Sequence, residues 1–111
     1  MSKLSATVIS DSDTSIKTKI EPNINVSPPS MYKVVYVNDD VTTMMFVIES
    51  LMSIFNHSYD SAVNLTEKVH VEGSAVAAIL PYEMAQQKGL EVTQLASANG
   101  FPLVIKLEAD D

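Results

Sequence analysis

The sequence predicts an α+β domain with the element order β-α-α-β-α-β, a small sheet covered on one face by three helices. Three observations carry that expectation. Short, β-branched or uniformly apolar runs occur at residues 32–37, 75–80 and 103–107. Longer stretches between them space their apolar residues at helical intervals. Two of those stretches separate the first strand from the second, which favours helices layered on a sheet over a simple hairpin stack.

Composition narrows the class of function. The 111 residues suffice for one domain with a modest core. There is no cysteine, which excludes disulfides, thiol nucleophiles and thiolate metal sites. No apolar run approaches the ~20 residues of a membrane span, and Asp11 and Asp13 interrupt what would be a secretion signal. The formal charge of -7 falls unevenly. Residues 1–30 balance Lys3, Lys17 and Lys19 against Asp11, Asp13 and Glu21, whereas residues 31–111 set four lysines against eleven carboxylates. With no arginine and no basic face, nucleic-acid binding is set aside.

In chain order, residues 1–30 are rich in Ser, Thr, Asp, Asn and Pro, and over the whole stretch the aliphatics keep no sustained period. They read as a flexible tail closed by Pro28-Pro29-Ser30, with the folded domain over 31–111. The first strand, 32–37, is apolar on both alternating faces apart from Lys33, as a central strand would be. Asn38-Asp39-Asp40 breaks it. Helix 1 follows from about Thr42 to Phe55, with Met44, Val47, Ile48, Leu51 and Phe55 as its stripe. Asn56-His57-Ser58 makes a turn, and Ser58 is a candidate cap for helix 2. That helix, from about Tyr59 to Val71, carries Ala62, Leu65, Thr66 and Val69 inward with His70 on nearly the same face, and ends at Gly73. Ala75–Leu80 reads as a buried strand. Pro81 opens helix 3, which runs to about Ala98 and carries Gly89 in its middle at a cost of about 1 kcal/mol relative to Ala. Asn99-Gly100 and Pro102 stop it before the last strand.

The chemistry-bearing residues point to binding. The two histidines show no metal-ligand spacing, there is no G-x-S-x-G elbow, and no glycine-rich phosphate loop exists, so neither an enzyme nor a bound cofactor is expected. His57 lies in a polar turn and reads as a surface residue. His70 ends an apolar stripe. An antiparallel pairing of helices 1 and 2 would bring it near Asn38, Asp39 and Thr42, above an apolar floor of Met44, Val47, Thr66 and Val69. Carboxylate, amide oxygen and neutral imidazole are all acceptors, so the natural guest is an ammonium beside a hydrophobic side chain.

Pro28-Pro29-Ser30-Met31-Tyr32-Lys33-Val34-Val35, then Val37-Asn38-Asp39-Asp40, Thr42, Met44 and Phe46-Val47, closely resembles the ClpS adaptor family. So do His70 with Gly73, the Ala-Val strand, Glu83 with Lys88, and Pro102-Leu103, in order over residues 28–108. The resemblance implies three helices on a three-stranded antiparallel sheet. It implies a cytoplasmic, monomeric adaptor that binds N-degron substrates beginning with Leu, Phe, Tyr or Trp. Such an adaptor delivers them to a ClpA- or ClpC-type unfoldase by docking the unfoldase's N-terminal domain. On this resemblance Asn38, Asp39 and His70 would hold the α-amino group and first peptide unit. Thr42, Met44, Val47, Thr66, Val69 and Leu103 would line the side-chain pocket, and Glu83 and Lys88 would dock the unfoldase. The sequence departs from the family pattern at Thr43, Met45 and Thr66, where proline, glutamate and methionine are usual, and in the thinned charges of helix 3 around Gly89.

Overall fold

The structure, a computed structural model, describes residues 29–111. The tail expected over residues 1–30 therefore lies outside the described residues except for Pro29 and Ser30. The described chain forms β1 (Met31–Val37), α1 (Met44–Phe55), α2 (Tyr59–Glu72), β2 (Ser74–Pro81), α3 (Tyr82–Ala98) and β3 (Val104–Ala109). The strands form an antiparallel sheet in the order β2-β1-β3. β1 is its centre, which is why three consecutive residues, Val34, Val35 and Tyr36, are all buried.

The helices cover one face. Tyr36, Ala75, Ala77 and Leu103 from the sheet side meet Phe46, Val47, Leu51, Ala62, Val69, Val92 and Ala96 from the helices in one core. Alanine at 75 and 77 makes β2 a weak strand by propensity. The order of the domain overrides it, because small side chains let α2 lie close over that strand. Gly89 does the same for α3: a Cβ there would meet Ile105 Cγ2 at 3.4 Å and Leu107 Cδ2 at 3.8 Å.

One boundary and one helix face differ from expectation for identifiable reasons. α1 begins at Met44 because Thr43 is its N-cap, accepting from the Phe46 amide at 3.2 Å. The buried face of α1 is also rotated. Phe46, Val47, Ser50 and Leu51 are buried, while Met44, placed in the stripe on spacing, is 45% exposed. Ser50 turns inward because its hydroxyl donates to the Val47 carbonyl at 2.9 Å and accepts from Tyr36 Oη at 2.8 Å. Burial pushes the Tyr36 phenol far above its ordinary pKa despite the opposing Ser50 hydrogen bond, so it stays a donor. Ser58 caps α2 as expected, accepting from Ser61 N at 3.2 Å, and Gly73 ends it in the left-handed conformation at φ 91°.

Candidate functional site

The site grows from the loop that leaves β1. The Asp39 carboxylate folds this loop back on itself. Its Oδ1 accepts from the amides of Val41 at 2.8 Å and Thr42 at 2.7 Å, and its Oδ2 accepts from Thr42 Oγ1 at 2.7 Å. Partial desolvation works to raise the Asp39 pKa. The hydrogen bonds from the Thr42 amide and hydroxyl and the Val41 amide outweigh it and hold the carboxyl below its usual range. Asp39 is therefore an anion, and Oδ2, with a single donor, keeps room for another.

The second wall arrives by one backbone contact. The Asn38 amide donates to the Gly73 carbonyl at 2.9 Å, which ties the end of α2 to the end of β1. Gly73 itself closes α2 by donating to Val69 O at 2.9 Å. The left-handed turn at Gly73 is what lets the chain leave α2 and enter β2 in a single residue. His70, in the last turn of α2, thus comes to the same opening as Asn38 and Asp39.

The resulting pocket holds about 230 Å³. Asn38, Asp39, Asp40, Thr42 and His70 rim it, Met44 forms a partly exposed side, and buried Val47, Thr66 and Val69 form the floor. The Thr66 hydroxyl is satisfied within its own helix, donating to Ala62 O at 2.7 Å, so the threonine adds its methyl and no unmet polar group to the wall. Neither His70 nor the Asn38 side chain makes a hydrogen bond to another described residue. An opening with two carboxylates, one amide and one imidazole above an apolar floor suits a small amphiphile with a cationic head. At about 230 Å³ it is below the ~300–1,000 Å³ of drug-sized sites and suits a single residue. A larger groove of about 540 Å³ between α1 and α3, lined by Phe46, Ser50, Leu95 and Asn99 among others, offers no such convergence of charge.

Comparison with known proteins agrees with this geometry. Residues 27–106 match the family model described as ATP-dependent Clp protease adaptor protein ClpS. The chain belongs to the ClpS family. Its relatives include the ATP-dependent Clp protease adapter protein ClpS of Wolinella succinogenes, 45% identical over 92 residues, covering 83% of this chain and 90% of that protein. The ClpS of Clostridium acetobutylicum is 43% identical over 97 residues, covering 84% and 96% respectively. Among solved structures, Agrobacterium tumefaciens ClpS2 bound to L-phenylalaninamide superposes with a TM-score of 0.73 at 35% identity, covering 75% of this chain and all of that one. The ClpS fold, three helices on a three-stranded antiparallel sheet in the order β-α-α-β-α-β, is the fold of the described residues here.

Of the residues expected at a binding pocket, Asn38, Asp39, His70, Thr42, Met44, Val47, Thr66 and Val69 all line this opening. Leu103 does not. It is buried in the core cluster that also contains Val47 and Val69, and so stands behind the pocket floor. Asp40 was missed as a lining residue. Its place in a three-residue polar turn was the available signal, but a turn does not reveal which of its side chains faces in. At the expected docking face, Glu83 is exposed in the first turn of α3. Lys88 is engaged within the domain: Nζ donates to the Ile54 carbonyl at 3.0 Å, against the last turn of α1. His57 is likewise no plain surface residue. Its Nε2 lies 2.7 Å from the Ala77 carbonyl and its Nδ1 3.0 Å from Ser61 Oγ. A carbonyl only accepts, so Nε2 carries the proton and Nδ1 accepts from Ser61.

Proposed function

We propose that the protein is an adaptor that recognises the N-terminal hydrophobic residue of N-degron substrates and delivers them to a Clp-type AAA+ unfoldase–protease in the cytoplasm. The observation that carries this reading is the pocket's division into an acceptor rim and an apolar floor. A peptide's first residue presents an ammonium and a side chain from one carbon. L-phenylalaninamide, the ligand bound by the Agrobacterium relative, has the same two groups and one amide besides. In this chain the ammonium sits between Asp39 Oδ2, the Asn38 side chain and His70, and the side chain descends between Met44 and the floor of Val47, Thr66 and Val69. The imidazole of His70 offers a ring nitrogen as the third acceptor.

Leu, Phe, Tyr and Trp are the expected first residues. The expected partner is the N-terminal domain of a ClpA- or ClpC-type unfoldase, engaged by a monomeric adaptor. On the docking face Glu83 offers the open charge, and Lys88 contributes by holding α3 against α1. Titrating labelled peptides that differ only at residue 1, with a degradation assay using the purified unfoldase and protease, tests the reading. Tight binding of Leu- and Phe-initiated peptides over Ser- or Glu-initiated ones, with matching acceleration of degradation, is expected. Equal binding across first residues contradicts the pocket assignment, and selective binding without degradation contradicts the delivery role.

A further inference from the structure

The rim of the pocket is polar except in one place. Asn38, Asp39 and His70 stand where the end of β1 meets the end of α2, and Asp40 and Thr42 continue the polar loop. Met44, the first residue of α1, breaks that ring with an apolar, half-exposed side chain. A first residue bound here has its ammonium on Asn38, Asp39 and His70 and its side chain on the floor. One heavy substituent of its α-carbon is left, the carbonyl carbon. The bonds of that carbon diverge, so the carbonyl leaves away from the acceptors. The rim that remains is Met44, and the peptide passes over it onto the surface of α1.

That surface is apolar where the outer face of a helix is ordinarily charged. Glu49 is the only charged residue in α1. Three of the six methionines of the chain lie on this helix, Met44, Met45 and Met52, and all three are exposed, Met45 at 63%. At about 100° per residue, Met45, partly buried Ile48 and Met52 share one face. Met44 stands beside Ile48, one turn below it, on the flank that borders the pocket. The band therefore begins at the pocket mouth.

It ends in the groove of about 540 Å³ between α1 and α3, where Met52 joins Phe46, Ser50 and Leu95. Leu95 forms the far wall and is 41% exposed. The polar groups among these walls are largely spent. The Ser50 hydroxyl donates to the Val47 carbonyl and accepts from Tyr36, and Asn99 Nδ2 donates to the Leu95 carbonyl at 2.8 Å. What the groove has to offer is apolar contact. A contiguous apolar patch marks a contact surface in a way that scattered aliphatics do not. Methionine, unbranched and polarizable, fits side chains of differing shape, as a site reading varied sequences requires.

We infer that the methionine band of α1 and the α1–α3 groove form a second subsite, which takes an apolar side chain of the same peptide a few residues after the first. The inference rests on the reading of the pocket as the seat of residue 1. From Met44 to Ser50 the helix rises about 9 Å, and crossing its surface adds about 10 Å. The diagonal path is roughly 14 Å, which about four extended residues span. Residue 4 or 5 of the substrate therefore reaches the groove, and the residues before it lie over Met44 and Met45.

Titrating the full chain with labelled Phe-initiated octapeptides tests this. Every other position is serine, except for one leucine moved through positions 2 to 6. Leucine at position 4 or 5 should tighten binding about fivefold or more over the all-serine tail. Met45→Gln and Leu95→Gln should each remove most of that gain and keep the preference for Phe over Ser at position 1. Both side chains are exposed, so the urea midpoint should stay unchanged in either variant. The same affinity for every leucine position overturns the proposal. So does a gain confined to position 2, which Met44 alone would explain. A gain that survives both variants overturns it too, since the leucine would then rest elsewhere. Loss of the Phe-over-Ser preference in the natural protein is a different failure, which removes the pocket reading and this subsite with it.

Discussion

His57 and His70 sit at opposite ends of α2, and the structure treats them oppositely. His57 precedes the helix in a polar turn, yet both ring nitrogens are engaged, one on Ser61 Oγ and one on the Ala77 carbonyl. His70 lies in the last turn behind an apolar stripe, yet it is exposed at the mouth of a pocket without a hydrogen bond to another described residue. One imidazole is consumed in holding the α1–α2 turn to the sheet. The other is left for a guest. A histidine's surroundings in sequence thus pointed the wrong way for His57, because its partner is a strand carbonyl twenty residues away.

The largest expected effects separate the two roles. His70→Ala should weaken binding of a Leu- or Phe-initiated peptide by about 2–5 kcal/mol, the scale for losing one partner of a buried charge contact. Asp39→Ala should do the same in the titration and should also loosen the 40–42 turn that it folds. His70→Ala should leave the urea midpoint unchanged. Acid should act on the Asp39 turn only late. The Asp39 carboxyl has a depressed pKa in the folded chain, so its contribution to the turn is present above the unfolded carboxyl's pKa and is lost only as pH falls through the lower, folded value. Turn structure followed by NMR should therefore persist into solution more acidic than the ordinary carboxylate range.

His57→Ala should show the mirror image. It strands the Ala77 carbonyl, so stability measured by urea denaturation should fall by about 1–3 kcal/mol. Peptide affinity, measured where the variant is folded, should match the natural protein. A His57 variant with full stability and lost binding would reverse the comparison.

Thr66→Met probes the pocket floor below His70. The threonine hydroxyl is already satisfied by Ala62 O, so the substitution changes volume and apolar contact alone. It should narrow the pocket, shifting the affinity ratio of Leu- and Phe- to Ile- and Val-initiated peptides by the equivalent of about 1–3 kcal/mol. Unchanged ratios would remove Thr66 from the specificity wall. The smallest effect is expected on the docking face. Lys88→Ala should cost about 0.5–1 kcal/mol in stability, since a cation leaves the end of α1, whereas Glu83→Ala should stay within about ±0.5 kcal/mol. Unfoldase binding should be hurt directly by Glu83→Lys.

All six elements were legible from period and turn chemistry, because strand runs, helix stripes and their Gly, Pro and Ser punctuation agreed with one another. What escaped was polar and non-local. The inward turn of Ser50 rotated α1 by satisfying a hydroxyl on Tyr36, fourteen residues away, and apolar patterning cannot register a buried serine. The same rotation exposes Met44 and gives it to the pocket. Eight of the nine residues expected at the pocket line it, since the Asn38-Asp39-Asp40 block and the α2 stripe fix their positions locally. Leu103 lies behind the floor, and a buried aliphatic next to a pocket and one inside it look alike in sequence. The contact of Lys88 was not legible because its acceptor, the Ile54 carbonyl, is a backbone group on another helix.

The central claim is that the pocket reads a free α-ammonium above an apolar floor. The direct measurement is a pair of titrations of the natural protein with one Phe-initiated peptide, first with its N-terminus free and then N-acetylated. Acetylation removes the charge and two donors while keeping the side chain, so affinity should fall by about 2–5 kcal/mol, comparable to His70→Ala. Equal affinity for the free and acetylated peptides would show that Asn38, Asp39 and His70 do not hold an amine.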